Sequence, residues 1–166
     1  MSTEAQTSLT TKVFEIYIKA SAQRIWEAIT TPEWTAKYGY RAPIEYDLRA
    51  GGAFRAHATP EMRAMGLPEV IVDGEVIESI PVRRLVQTYR FLFTDENKAE
   101  GFTRITWEIE PTEPGFTRLT VIHELDHAPG MAAAVSGKFS TDGGGGWNWI
   151  LSDLKTLLET GKTLDA

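Results

Sequence analysis

The sequence predicts an α+β domain in which one antiparallel sheet packs against a long helix near the C-terminus. Seven segments have the alternation or composition of β-strands, and several are separated by turns rich in glycine and proline. The last segment instead repeats its apolar residues at helical spacing over about four turns. A helix of that kind must bury its apolar stripe, and the dry face of the sheet is the only surface large enough.

The first strand follows a polar N-terminal stretch, residues 1–10, which we expect to be disordered and not to be a signal peptide. Apolar Phe14, Ile16 and Ile18 alternate with charged or amphipathic neighbours. This period of two is typical of a half-buried strand. We therefore expect one domain over residues 11–166.

Two short helices are predicted next. Ser21 can cap a helix whose apolar positions include Ile25 and Ile29. A second helix begins at Thr31-Pro32-Glu33, where a capping threonine precedes a proline at the first helical position and an acidic residue in the first turn. This second helix should end near Tyr38.

Six further strands account for most of the remaining chain. The Arg49-Ala50-Gly51-Gly52 sequence suits a hairpin turn between the first two, and residues 111–115 have strong turn chemistry between the last two. In the last two strands the apolar and the charged side chains occupy opposite faces, as in an antiparallel sheet covered on one side. We predict these strands at residues 44–48, 53–58, 70–79, 84–93, 102–110 and 117–126.

Two long connections interrupt the pattern. Residues 59–69 carry Met62 and Met65 on a segment that could be helical, and we interpret it as a lid because thioether side chains repack easily. Residues 127–146 end in four glycines and are expected to form a loop. Connections of this length are often functional lids, and ordinary disorder is the competing interpretation.

The final helix is the most clearly patterned element. Gly161 ends it in the usual C-terminal manner. Trp149 is expected to be exposed on its polar side, which is a weak indication of a homodimer. The apolar stripe consists of Trp147, Ile150, Leu151, Leu154, Leu157 and Leu158.

Composition limits the possible partners. The 166 residues have a formal net charge of -6 and scattered basic residues, so neither nucleic acid nor an anionic membrane is an expected partner. No segment is long and apolar enough to span a membrane. The absence of cysteine removes disulfides and thiolate chemistry, and it suits a cytoplasmic location.

Five local sequences in this order resemble the SRPBCC, or START-like, superfamily, and within it the branch named after the heat shock protein 90 ATPase activator. The resemblance implies a helix-grip fold, with a seven-stranded antiparallel sheet wrapped around the C-terminal helix and a cavity between them. It implies less about function, because one fold hosts many activities. The matching segments are residues 20–30, 47–52, 72–76, 81–85 and 146–159.

Aromatic residues are the candidates for lining the implied cavity, because ligand pockets combine large apolar rings with a few polar tips. Some follow the short helices, where the resemblance places the cavity mouth, and others are expected to point inward from the strands and the last helix. The alternative is that these rings simply fill the core. The candidates are Trp34, Tyr38, Tyr40, Phe54, Tyr89, Phe91, Trp107, His123 and Trp147.

His123 is the most suggestive titratable residue, since strand alternation places it on the dry face. A buried histidine needs partners for both ring nitrogens, and it could contact a ligand or serve as a general acid or base. A core histidine bonded to backbone or tyrosine is the competing interpretation. His57 and His127 complete no recognised metal spacing with it, so no metal and no cofactor are expected.

These observations favour binding of a small hydrophobic or aromatic molecule without a dedicated catalytic apparatus. The first alternative is an enzyme of the cyclase, aromatase or hydrolase kind that uses His123, Tyr89 or Glu75 as acid or base. The second alternative is a chaperone-associated stress-response protein, as the branch name suggests. The sequence contains no additional segment that would dock a chaperone.

Overall fold

The computed structural model describes residues 10–137 and 145–165. The expected disordered N-terminus therefore lies, apart from Thr10, outside the described residues. The strands are β1 Thr11–Ile18, β2 Ile44–Tyr46, β3 Ala53–His57, β4 Val70–Ile80, β5 Arg84–Phe91, β6 Thr103–Pro111 and β7 Thr117–Glu124. The helices are α1 Ala22–Thr30, α2 Pro32–Thr35, α3 Pro60–Ala64, α4 Asp95–Glu100, α5 Pro129–Val135 and α6 Gly146–Thr160.

The seven strands form one antiparallel sheet in the order β1-β7-β6-β5-β4-β3-β2. Strands β2 to β7 follow one another in the sheet in the order of the sequence, as in a meander. The first strand, β1, is added at the edge beside β7. The amphipathic helix α6 packs on it and ends at Gly161, which adopts the left-handed conformation. The predicted helix-grip architecture is thus confirmed.

The core consists of two hydrophobic clusters. The larger one joins the buried faces of α1 and α6 to strands β5, β6 and β7. The smaller one lies under β2, β3 and β4, with Phe54 and Ile71 at its centre and Met62 of α3 packed against it. Tyr46, Tyr89 and Phe91 pack against both clusters and yet remain partly exposed. The two clusters therefore meet along a partly open aromatic seam.

Several predicted boundaries were wrong. Strand β5 ends at Phe91 rather than residue 93, because Thr94 caps the unpredicted helix α4 by accepting a hydrogen bond from Asn97 N at 3.1 Å. Residues 127–146, expected to be a loop, contain helix α5. Helix α2 stops at Thr35, and residues 36–43 reach β2 without regular structure.

The insertion after β3 is helical, as its composition suggested. Thr59 caps α3 by accepting a hydrogen bond from Met62 N at 3.2 Å, and Pro60 occupies the first helical turn. Met62 is partly buried, whereas Met65 is 79% exposed. The structure thus places only the first of the two methionines against the core.

No helix within the described ranges is both long and apolar enough to cross a membrane.

The side chain of Trp149 on α6, which was expected to be exposed, is only partly exposed.

Candidate functional site

Tyr89 is the centre of an aromatic cluster at the seam between the two hydrophobic clusters. Its ring centroid lies 5.8 Å from that of Phe54, 5.7 Å from that of Phe91 and 6.2 Å from that of Trp147. Trp147 in turn meets Trp107 edge-on at 5.3 Å. The spacings are those of favourable offset and edge-to-face pairs. Five candidate residues from four different elements are therefore brought together.

His123 is fully buried beside this cluster, and both of its ring nitrogens have partners. Trp147 Nε1 donates to His123 Nδ1 at 3.0 Å, and Thr103 Oγ1 lies 2.8 Å from His123 Nε2. Because an indole N–H can only donate, Nδ1 must be the unprotonated nitrogen. Nε2 then carries the proton and donates it to Thr103, whose hydroxyl donates to the carbonyl oxygen of Tyr89 at 2.9 Å.

This arrangement holds the imidazole neutral. Burial lowers the pKa of His123 to about 3, since no carboxylate compensates for the loss of water around a charged ring. A general acid or base that works near neutral pH needs a pKa near the operating pH and a free nitrogen. His123 has neither, so it acts here as a structural acceptor and donor. Glu75, the carboxylate named in the enzyme alternative, is exposed.

Gln87 forms a second buried polar centre that sequence reasoning missed. Its Oε1 atom accepts hydrogen bonds from the Tyr46 hydroxyl at 2.7 Å and from Trp107 Nε1 at 3.3 Å. The residue is 1% exposed on β5, and it orients two of the rings that line the seam. Its position on the inward face of β5 could have indicated this role, because a buried amide needs partners.

The segment after α2 supplies Tyr38 and Tyr40 in different roles. Tyr38 is buried and donates to the carbonyl oxygen of Ala28 at 2.8 Å, so it is a core residue with its hydroxyl satisfied. Tyr40 is 46% exposed, and its hydroxyl oxygen accepts a hydrogen bond from Gly146 N at 2.9 Å. Tyr40 therefore lies over the start of α6, at the exposed border of the site.

Gly146 is required at that point by close packing. Its φ is +71°, and a Cβ atom there would lie 2.3 Å from the Val135 carbonyl oxygen. The remaining candidate from this region, Trp34, is partly buried against the main cluster, with Lys37 Nζ 4.5 Å from its ring centroid. Trp34 makes none of the ring contacts of the central cluster.

Helix α5 closes one end of the aromatic cluster. Met131 is 1% exposed, and its sulfur lies 3.4 Å from Thr103 Oγ1. The Glu100 carboxylate at the end of α4 accepts hydrogen bonds from the amides of Gly130 at 2.7 Å and Met131 at 3.1 Å. The two short helices that sequence reasoning missed thus hold each other in place.

The Tyr89 hydroxyl differs from the other polar tips of the cluster. No hydrogen bond joins it to another described residue, and Tyr89 as a whole is partly exposed. Burial of the ring raises the pKa of Tyr89, and the nearby Tyr40 phenol adds to this effect. The hydroxyl therefore stays protonated across the physiological range.

The resemblance implies a cavity between the sheet and the C-terminal helix. In the structure, that space contains the packed rings described above. Two grooves of about 690 and 710 Å³ lie elsewhere on the surface: one beside Tyr17 and Phe116, the other along the charged outer face of β6 and β7. Within residues 10–137 and 145–165, no group of three or more histidine and carboxylate side chains is arranged to hold a metal ion.

Comparison with protein families identifies the chain's relatives. The family model described as Activator of Hsp90 ATPase homolog 1-like protein matches residues 19–159. The chain belongs to this family. No curated protein sequence matches the chain.

Solved structures of similar fold are distant in sequence. Protein MLL2253 from Mesorhizobium loti aligns with a TM-score of 0.67 at 20% identity, over 90% of this chain and 96% of that one. The Aha1 dimer from Colwellia psychrerythraea gives 0.63 at 21% identity, over 92% and 98%. DynU16, a protein in the dynemicin biosynthetic locus, gives 0.65 at 22%, over 93% of this chain and 49% of that one. At these identities the likeness establishes the shared fold.

Proposed function

We propose that this family member binds a small hydrophobic or aromatic molecule at the seam between its two hydrophobic clusters. The observation on which the proposal rests is that Tyr46, Tyr89 and Phe91 pack against both clusters but stay partly exposed. Rings in this position can exchange contact with water for contact with a ligand, which is favourable for an apolar partner.

The residues behind the seam support a binding surface that is already formed before a ligand binds. Phe54, Trp107 and Trp147 are buried behind the exposed rings, and Gln87 and His123 fix both indoles by hydrogen bonds to their N–H groups. A wall whose orientation is already fixed loses less conformational entropy when a ligand binds. The ligand would enter beside Tyr40 and displace solvent, with little change of the buried rings.

Binding is a better proposal than catalysis because the titratable groups of the seam are neutral. Burial lowers the pKa of His123 and raises the pKa of Tyr46 and Tyr89, so none of the three changes charge near neutral pH. A site with fixed protonation states can recognise a ligand but has no group poised to transfer a proton.

The direct test is titration with N-phenyl-1-naphthylamine, a neutral probe that becomes fluorescent in apolar surroundings. We expect saturable binding to the wild type, with energy transfer from the tryptophans that line the seam. Phe91→Leu should weaken binding by about three- to tenfold through loss of an aromatic contact. Circular dichroism and thermal denaturation establish that the variant is folded.

Phe102→Leu is the matched control, because Phe102 is 52% exposed and its ring contacts Arg90, which alternates with Tyr89 and Phe91 along β5. It should leave the affinity unchanged. Absence of saturable binding to the wild type, or equal effects of the two substitutions, would contradict the proposed site.

We further propose that the protein is cytoplasmic and forms a homodimer. The dimer is supported by the relative from Colwellia psychrerythraea, which was solved as a dimer, and the location by the absence of cysteine. Sedimentation velocity at several concentrations tests the first proposal, and a single monomeric species at all of them would contradict it.

A further inference from the structure

The proposed seam contains an unused hydrogen-bond donor. Tyr89 is partly exposed, and its hydroxyl makes no hydrogen bond to another described residue. Removing a ring from water while its hydroxyl stays unpaired costs free energy, so a ligand that covers Tyr89 must offer an acceptor to bind well. An entirely apolar ligand would leave this group without a partner.

A second donor lies at the same border. The Tyr40 oxygen accepts a hydrogen bond from Gly146 N, which leaves its own proton without an acceptor in the described part of the chain. The next residue, Trp147, has its ring 6.2 Å from that of Tyr89. The two phenols therefore flank the first turn of α6.

The charges around this border disfavour an anion. The carboxylate of Asp153 is fully buried and accepts hydrogen bonds from the amides of Gly39, next to Tyr40, and of Leu164, at 2.8 and 2.7 Å. Arg41, the nearest cation along the chain, is paired with Asp165 at 2.6 Å. A ligand carboxylate would lose its hydration on binding, and Arg41 is already paired with the carboxylate of Asp165.

We propose that the Tyr89 hydroxyl, assisted by that of Tyr40, binds a neutral carbonyl oxygen on an aromatic ligand and that the site discriminates against aromatic carboxylates. This inference rests on the proposed function, since it specifies the ligand class for the same seam. Aromatic ketones and quinones have the required chemistry: a planar ring for the aromatic wall and an uncharged acceptor at its edge.

Three probes of nearly equal shape test this inference by isothermal titration calorimetry: 2-acetylnaphthalene, 2-isopropenylnaphthalene and 2-naphthoate. The first has a carbonyl where the second has a methylene group, and the third is the corresponding anion. The ketone should bind the wild type about three- to tenfold more tightly than the alkene, as expected for one hydrogen bond. The carboxylate should bind most weakly.

Tyr89→Phe should remove the advantage of the ketone and leave the affinity for the alkene nearly unchanged. Because the hydroxyl has no partner to lose within the described residues, this variant is expected to fold normally. Tyr17→Phe is the matched control, since Tyr17 is 47% exposed and contacts Phe116 on the outer surface. It should preserve the wild-type order of affinities.

The outcomes separate the two proposals. Equal binding of ketone and alkene to the wild type, or a ketone preference that survives in Tyr89→Phe, would overturn the donor assignment while leaving the binding site intact. Preference for 2-naphthoate would overturn the discrimination against anions. Failure of all three probes to bind would contradict the proposed function itself.

Discussion

The indole of Trp147 donates its only hydrogen bond to Nδ1 of His123, at 3.0 Å, and thereby fixes which nitrogen of the histidine is protonated. Trp147 is on α6 and His123 is on β7, so this bond links the C-terminal helix to the sheet it packs on. The helix could not be anchored in this way by a protonated imidazole, because both nitrogens would then be donors.

Acid should therefore destabilise the fold through His123. The pKa of His123 is lowered from 6.5 to about 3 in the folded protein, so between these values the unfolded chain binds a proton that the folded chain does not. The contribution to stability is complete above about pH 6.5 and is lost as the pH falls toward 3. Urea denaturation should give a free energy of unfolding about 2 kcal/mol lower at pH 5 than at pH 7 from this residue alone.

His123→Gln should show a smaller loss between the same two pH values, since glutamine does not titrate. His127→Asn is the control: His127 is exposed with a φ of +67°, a conformation that asparagine tolerates. This control should retain the wild-type pH dependence. An identical dependence in the wild type and in His123→Gln would show that His123 is not the group responsible.

Thr103→Val should destabilise the fold at neutral pH by about 1 to 3 kcal/mol. Valine preserves the shape of the side chain but removes the acceptor for His123 Nε2 and the donor to the Tyr89 carbonyl oxygen. Thr106→Val is a matched control on the same strand, since Thr106 is also buried but its hydroxyl has no hydrogen bond within the described ranges. Equal effects of the two substitutions on chemical denaturation would refute the proposed network.

Alternation along the strands was sufficient to predict that Phe54, Trp107 and His123 point into the core, because a strand places every second side chain on one face. Their polar partners could not be predicted in the same way. Thr103 meets His123 only through the register of β6 against β7, in which Ile105 is opposite His123. A register is set by the whole sheet, and a single strand does not indicate it.

The two missed helices differ in how far the sequence could have predicted them. Helix α4 has local signals, namely the capping Thr94, two acidic residues in its first turn and Gly101 at its end. Helix α5 has Pro129 in its first turn but no side-chain cap from a neighbour in sequence. Its amides are instead capped by Glu100, thirty residues earlier, and such a tertiary cap leaves no local pattern.

Glu100→Gln should therefore loosen α5 more than the rest of the molecule. The substitution removes the charge and leaves one good acceptor for two amides, which typically costs about 1 kcal/mol at a helix N-terminus. Hydrogen exchange should show faster exchange at Gly130 and Met131, with the strands unaffected. Glu113→Gln, in the exposed turn between β6 and β7, is the control and should change neither amide. Unchanged exchange at Gly130 in Glu100→Gln would contradict the cap.

Asp153→Asn should be among the most destabilising conservative substitutions in the chain. The two carboxylate oxygens of Asp153 accept from the amides of Gly39 and Leu164, and the residue is fully buried. An asparagine turns one acceptor into an NH₂ donor that faces another donor, so one amide loses its partner whichever way the side chain is oriented. We expect a loss of about 2 to 4 kcal/mol in chemical denaturation. The exposed Asp126→Asn is the matched control, and a loss no larger than that of the control would mean that these two hydrogen bonds do not stabilise the fold.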